Sequence, residues 1–211
     1  MAALRRILAA ALIAGIAAGL VTAALQSVTT TPLIRAAEAF EPAHDPEETS
    51  EAARAALSVL ATVLTGAGFG LLLVGAIALS GREPDAREGM LWGVAGFAAF
   101  TLAPALGLPP ALPGAAEADL AARQVWWLAA AGACAGGLAL IVFGRNAWLA
   151  AAGIVLIALP HVAGAPAPEG ASTVPADLAA RFVAASLATG AVFWAVLGFL
   201  SGTLYARFRP R

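Results

Sequence analysis

Residues 55–81 read AALSVLATVLTGAGFGLLLVGAIALSG and contain no Asp, Glu, Lys or Arg. A helix of this length is sufficient to cross the hydrocarbon core of a bilayer, which needs roughly 20 apolar residues. Five further uncharged runs divide the rest of the chain: 7–34, 89–116, 124–144, 146–168 and 182–206. A soluble domain has no use for six such runs, so the pattern predicts an all-α, polytopic membrane protein.

The composition supports this class and excludes others. The chain is 61% hydrophobic and 12% charged, which argues against a conventional soluble core and against a nucleic-acid binder. Its single cysteine, Cys134, cannot form an intramolecular disulfide and is not a metal site by itself. We expect Cys134 to pack between apolar residues.

The six runs predict six transmembrane helices in one integral membrane domain, residues 1–211. The first run is longer than the roughly 7–15-residue apolar region of a signal peptide, so we expect it to be retained as the first helix. The predicted helices are Ile7–Val28, Ala55–Leu79, Met90–Leu108, Gln124–Phe143, Ala147–Ala163 and Phe182–Tyr205.

The arginines predict the orientation. With six spans both termini lie on one side, and that side carries eight of the twelve arginines, against four on the other. Because basic residues are enriched in cytoplasmic loops, the N- and C-termini are both predicted to be cytoplasmic. Aromatic residues fit interfacial positions at Trp92, Trp126, Trp127, Trp148 and Tyr205, whereas Trp194 is mid-span and is expected to pack between helices.

The outer ends of the predicted spans repeat. An acid three or four residues before an arginine precedes the second, fourth and sixth helices, in the pairs Glu51/Arg54, Asp119/Arg123 and Asp177/Arg181. Prolines lie near the outer ends of the odd helices, at Pro32, Pro104 and Pro160. This favours three parallel hairpins, roughly 1–88, 89–146 and 147–211, related by a pseudo-threefold axis, an arrangement of a kind found in transporters. Chance matches in alanine-rich sequence are the alternative.

The three repeated arginines have two interpretations. They form an outer charged rim of Arg54, Arg123 and Arg181 that shapes an entrance or docks a partner, or each forms a local ion pair with its preceding acid. Helix packing is indicated separately by glycines four residues apart, which let helix backbones approach closely in a membrane. These pairs are Gly15/Gly19, Gly66/Gly70, Gly132/Gly136 and Gly198/Gly202.

The candidate metal ligands are His161, which follows Pro160, and His44, Glu38 and Glu41 of the acidic first outer loop. Imidazole and carboxylate groups together suit divalent transition metals. We expect Pro160 to interrupt its helix and leave carbonyl groups available. The alternatives are that His44 is an ordinary exposed loop residue and that His161 is an interfacial residue bonded to a carbonyl group.

No motif of an enzyme, an ATPase or a closed zinc site is present. We therefore predict neither enzymatic activity nor a resident cofactor. Few polar residues lie inside the predicted membrane core, among them Gln26, Ser58, Thr62, Thr65, Thr101, Ser186 and Thr189, and none is a carboxylate. Because ion-coupled transporters often bury carboxylates at the midplane, this favours a facilitator, a partner-dependent pore or a structural subunit over a proton-coupled pump.

Several segments are similar to the CbtA family. They include LRRILAA at 4–10, TPLIRAAE at 31–38, GVAGFAAF at 93–100, LAPALGLPP at 102–110, ARQVWW at 122–127, LPHVAGAP at 159–166 and VPADLAARF at 174–182. The resemblance covers nearly the whole chain and implies the integral membrane subunit of a cobalt transporter in a bacterial inner membrane. It also implies a partner, the small one-span subunit CbtB with its histidine-rich end. The alternative is an accessory transmembrane subunit of a larger membrane complex, without transport activity of its own.

Overall fold

A computed structural model describes residues 2–40 and 50–208. Within these ranges the chain is helical, which confirms the all-α prediction. The helices are α1 (Ala2–Val28), α2 (Thr30–Glu38), α3 (Glu51–Leu79), α4 (Ala86–Phe97), α5 (Ala103–Ala105), α6 (Leu120–Phe143), α7 (Ala147–Ala163) and α8 (Ala176–Arg207). A π-helical stretch, Ala98–Leu102, joins α4 to α5.

Four helical segments in the described ranges are long and apolar enough to cross a membrane: Leu4–Val28, Glu51–Leu79, Leu120–Phe143 and Ala176–Arg207. Helix α7 has the predicted bounds, but its 17 residues span only about 26 Å at about 1.5 Å per residue, somewhat less than a bilayer core. The predicted third span, Met90–Leu108, is divided between α4, the π-helical stretch and α5. The six-span arrangement therefore stays a prediction.

Helices α3 and α6 begin earlier than their apolar runs because polar caps extend them. The Ser50 side chain accepts from the Ala53 amide at the start of α3, and Asp119 accepts from the Ala122 amide at the start of α6. Such caps satisfy amide groups that have no partner within the helix. Hydrophobicity marks the apolar part of each helix, whereas the cap marks its first residue.

Helix α2 was not predicted. The sequence placed Pro32 near the end of the first span, but Pro32 lies in the first turn of α2, where a helix needs no amide donor. Pro104 lies in α5 and cannot donate to the Phe100 carbonyl in the preceding turn. The wider π-helical turn lies at this point, and its closing bond runs from the Ala103 amide to the Ala98 carbonyl.

The chain divides into two compact units. The first comprises residues 1–31, 43–94 and 188–211, and the second comprises 32–42 and 95–187. Helix α8 therefore contributes its C-terminal part to the first unit and its N-terminal part to the second.

In the first unit, glycines bring two antiparallel helix pairs into backbone contact. A Cβ atom on Gly15 of α1 would lie 2.3 Å from the Gly66 carbonyl oxygen of α3. A Cβ atom on Gly89 of α4 would lie 2.4 Å from the Gly198 carbonyl oxygen of α8. Only glycine fits at such distances. The predicted glycine pairs of α1, α3 and α8 are thus packing positions, and their partners on α4 are Gly89 and Gly93.

In the second unit, the predicted pair on α6 is wrong by one residue. No atom lies within 4 Å of a Cβ atom built on Gly132, and Gly136 meets only Leu156 of α7. The close contact is instead between Gly137 and Gly153 of α7, where a Cβ on Gly137 would lie 2.5 Å from the Gly153 carbonyl oxygen. One residue is a rotation of about 100° around a helix with 3.6 residues per turn, so it selects a different face.

Two loops of the second unit, 106–119 and 164–175, bond to each other. The Thr173 amide donates to the Gly114 carbonyl at 3.1 Å, and the Glu169 amide donates to the Glu117 carbonyl at 3.1 Å. An apolar cluster lies beside them, formed by Ala37, Leu112, Val174, Leu178 and Phe182. This cluster holds α2 against the loops and against the first turns of α8.

Candidate functional site

His161 lies in the last turn of α7, and its side chain is partly buried. The expectation that Pro160 interrupts this helix is wrong, because α7 continues to Ala163. The helix ends at Gly164, whose φ of 88° suits glycine and whose amide donates to the Pro160 carbonyl at 3.1 Å. Since Pro160 is near the helix end, its missing amide leaves most of the helix intact.

The His161 ring contacts Trp126 of α6. The two ring centroids are 5.7 Å apart, and the ring planes are inclined by 74°, a T-shaped arrangement. The Trp126 indole Nε1–H donates to the Pro160 carbonyl at 3.3 Å. Trp126 therefore binds two consecutive residues of α7, and its side chain is 9% exposed.

Gly107 closes the other side of the indole. A Cβ atom on Gly107 would lie 2.2 Å from Trp126 Cη2, so the loop after α5 approaches the ring directly. We call Gly107, Trp126, Pro160 and His161 the His161 site. Helices α6 and α7 and the α5–α6 loop all contribute to it, so a ring on one helix is fixed by groups from two other segments.

The π-helical stretch packs beside this site, also against α6. Phe100 contacts Trp127, with ring centroids 6.3 Å apart. Ala99 and Ala103 form a buried cluster with Cys134. The prediction that Cys134 packs between apolar residues is therefore confirmed.

Of the other predicted metal ligands, the structure describes only Glu38. Glu38 ends α2 and is exposed, in the same unit as His161. Glu41 and His44 lie outside the described residues. Within residues 2–40 and 50–208, no three His, Cys, Asp or Glu side chains come close enough together to hold a metal ion.

Comparison with family models decides which family the chain represents. A model described as a probable cobalt transporter subunit, CbtA, matches residues 4–206. The chain belongs to the CbtA family. Searches of curated proteins and of solved structures found no match. With its long apolar helices, this CbtA family member is a membrane protein of cobalt transport.

The repeated arginines of this CbtA chain have different surroundings. Arg123 forms an ion pair with Glu117, while the preceding acid, Asp119, caps α6. Arg54 lies in the first turn of α3 and Arg181 in the second turn of α8, and both are exposed. Arg54 belongs to the first unit and the other two to the second, so the common rim stays a prediction.

A second polar cluster of the CbtA chain was missed from the sequence. Arg6 donates to both carboxylate oxygens of Glu83, at 3.1 and 2.9 Å, and to the Tyr205 carbonyl at 2.8 Å. Its guanidinium also lies 3.8 Å from the centroid of the Tyr205 ring. We call these three residues the Arg6 clamp. It joins α1, the α3–α4 loop and α8 within the first unit.

Polar residues inside the long helices bond mainly to neighbouring helices or to their own backbone. Thr62 of α3 donates to Gln26 of α1 at 3.1 Å. The hydroxyl of Thr29, which lies between α1 and α2, is 3.4 Å from the Thr189 hydroxyl of α8. The Ser201 hydroxyl of α8 is fully buried and has no hydrogen-bond partner among the described residues. Trp194 is buried and packs on Phe69 with ring centroids 5.1 Å apart, as predicted for a mid-span tryptophan.

Proposed function

We propose that the chain is the integral membrane subunit through which a cobalt transporter passes its ion, with His161 as an outer contact for cobalt. The observation that carries this proposal is the His161 site, since it holds an imidazole at one helix end, in a chain whose family is described as a probable cobalt transporter subunit. Imidazole is a suitable ligand for first-row divalent metals.

A single imidazole is suited to bind an ion that is transported and not retained. An ion that must move on has to be bound firmly enough to arrive and weakly enough to leave. One imidazole supplies one ligand, whereas divalent metals of this row take several. We propose that the remaining ligands of the ion come in turn from water, from Glu38, Glu41 and His44, or from donor groups of a small histidine-rich subunit like CbtB.

We propose a bacterial inner-membrane location with six spans and both termini in the cytoplasm. The support is the eight-to-four division of arginines, in which Arg82 and Arg145 fall on the cytoplasmic side. The His161 site then faces the periplasm and the Arg6 clamp faces the cytoplasm. A reporter domain that is active only in the cytoplasm should give a signal when it is fused after Arg82 and also when it is fused after Arg145. A periplasmic signal from either fusion would contradict this topology.

The alternative is an accessory subunit that assembles a larger complex and carries no ion. It predicts that His161 matters only as a packing residue. The two functions are separated by replacing the imidazole with a ring that cannot bind metal. Phe preserves an aromatic contact with Trp126, whereas Ala removes both the contact and the ligand.

The experiment measures initial rates of radioactive cobalt uptake in cells that express each variant, divided by its membrane abundance. His161→Ala and His161→Phe should both lower uptake at limiting cobalt, by about tenfold or more, since even the loss of a supporting contact costs a metal site about that much. Cys134→Ala, which removes a buried thiol from the same unit, serves as the control and should retain wild-type uptake. Wild-type uptake by His161→Phe would remove the site and favour the accessory function.

A further inference from the structure

We infer that Trp126 is a positioning residue for cobalt transport that acts by holding the imidazole of His161. This inference rests on the proposed function, because it assigns a role to a neighbour of the proposed ligand. Trp126 itself offers no metal ligand, since its indole nitrogen is only a donor.

The geometry separates this tryptophan from an ordinary packing residue. Its N–H is committed to the Pro160 carbonyl, which belongs to the peptide bond that leads into His161. Its ring faces the His161 ring in the T-shaped contact. One side chain thus fixes both the backbone and the ring of the same ligand.

The indole has little freedom to move. It is 9% exposed, and the α5–α6 loop lies against its far edge at Gly107. A ring held by a hydrogen bond on one side and by backbone on another maintains a constant orientation. Groups that hydrogen-bond to a metal-binding histidine fix its orientation, and their loss lowers metal affinity by about 10–100-fold. Trp126 acts on the same orientation through a ring contact and the preceding carbonyl, so we expect an effect at the lower end of that range.

The neighbouring Trp127 provides a matched control. It lies on the same turn of α6 and contacts Phe100 instead of His161. Trp126→Phe and Trp127→Phe remove the same indole N–H and the same ring volume. Only the first change removes a bond to the segment that carries the ligand.

The test is a double-mutant cycle between Trp126→Phe and His161→Ala, with cobalt uptake measured over a range of cobalt concentrations and divided by membrane abundance. Trp126→Phe should raise the KM for cobalt by about tenfold with little change in the maximal rate, and Trp127→Phe should leave the KM unchanged. In the His161→Ala background, Trp126→Phe should have no further effect. Gly107→Ala, which pushes on the indole from behind, should raise the KM in the same way and provides a second variant if Trp126→Phe accumulates poorly.

The outcomes distinguish the two claims. If His161→Ala lowers uptake and neither Trp126→Phe nor Gly107→Ala changes the KM, the positioning role is wrong and the proposed function stands. If Trp126→Phe lowers uptake by the same factor with and without His161, the tryptophan acts independently of the imidazole, which also overturns the inference. Wild-type uptake by His161→Ala overturns both the inference and the site on which it rests.

Discussion

Arg6 shows how a single charged residue is accommodated next to an apolar helix. Its side chain is only 11% exposed, and it meets a carboxylate, a carbonyl and an aromatic face. The planar guanidinium can use all three at once, because its five donors form a rigid fork and its face stacks on rings. The Arg6 clamp therefore connects the two ends of the chain through one side chain.

We expect Arg6→Ala to lower the free energy of unfolding by about 1–3 kcal/mol, with the lower end favoured because Glu83 is 46% exposed and its ion pair is screened by solvent. Arg6→Lys keeps the charge but cannot form the paired bonds, so its effect should be intermediate. Thermal unfolding of the purified proteins in detergent measures this, and stability should fall from wild type to Arg6→Lys to Arg6→Ala. A Lys variant as stable as wild type would show that charge alone matters.

At the residue scale the sequence makes His161 a candidate ligand but does not predict which residues contact it. The histidine stands out in an apolar run, beside a proline. Trp126 was assigned only to the membrane interface, because the residues that contact an indole depend on the register of α6 against α7, which local sequence does not encode. The same applies to Arg6, which counts toward orientation in the sequence, while its partner Glu83 lies 77 positions away.

At the scale of elements, glycines determine which helix faces meet. The α1–α3 contact is so close that a methyl group has no room at Gly66, where a Cβ atom would lie 2.4 Å from the Gly15 carbonyl oxygen. Gly68, two positions along the same helix, has nothing within 4 Å. The two positions therefore make a matched pair.

We expect Gly66→Ala to destabilise the protein by about 1–3 kcal/mol, as overpacking of an interior does. Gly68→Ala should be neutral or stabilise it by up to about 1 kcal/mol, because alanine favours helix more than glycine does. Thermal unfolding in detergent and folded yield in membranes measure both. Equal stability of the two variants would mean that α1 and α3 are farther apart than described.

Element bounds were predicted well where hydrophobicity alone sets them and less well elsewhere. The bounds of α7 were predicted correctly, whereas α3 and α6 gained their first turns from caps. The π-helical stretch was not predicted, since the sequence signals only that Pro104 cannot donate a bond and leaves open how the backbone adjusts. Helix α6 has three glycines that could form the close backbone contact with α7. The position of α7 determines that Gly137 forms it, and not Gly132 or Gly136.

At the scale of the whole molecule, the threefold repeat makes a prediction about depth. If the three hairpins are related by rotation about the membrane normal, then Arg54, Arg123 and Arg181 lie at similar depth on the outer side. The native Cys134 is buried, and we expect Cys134→Ala to retain function, so single cysteines at the three positions in that background can be labelled with a membrane-impermeant thiol reagent. We expect comparable labelling from outside the cell. One position that is labelled only after the membrane is made permeable would contradict the repeat.

Whether this CbtA family member carries cobalt is tested most directly by the cobalt content of cells under cobalt limitation. The comparison is between cells that lack the chain, cells that express the wild type and cells that express His161→Phe at equal membrane abundance. We predict low cobalt content without the chain, restoration by the wild type and little restoration by His161→Phe. The same cobalt content in all three strains would contradict the account.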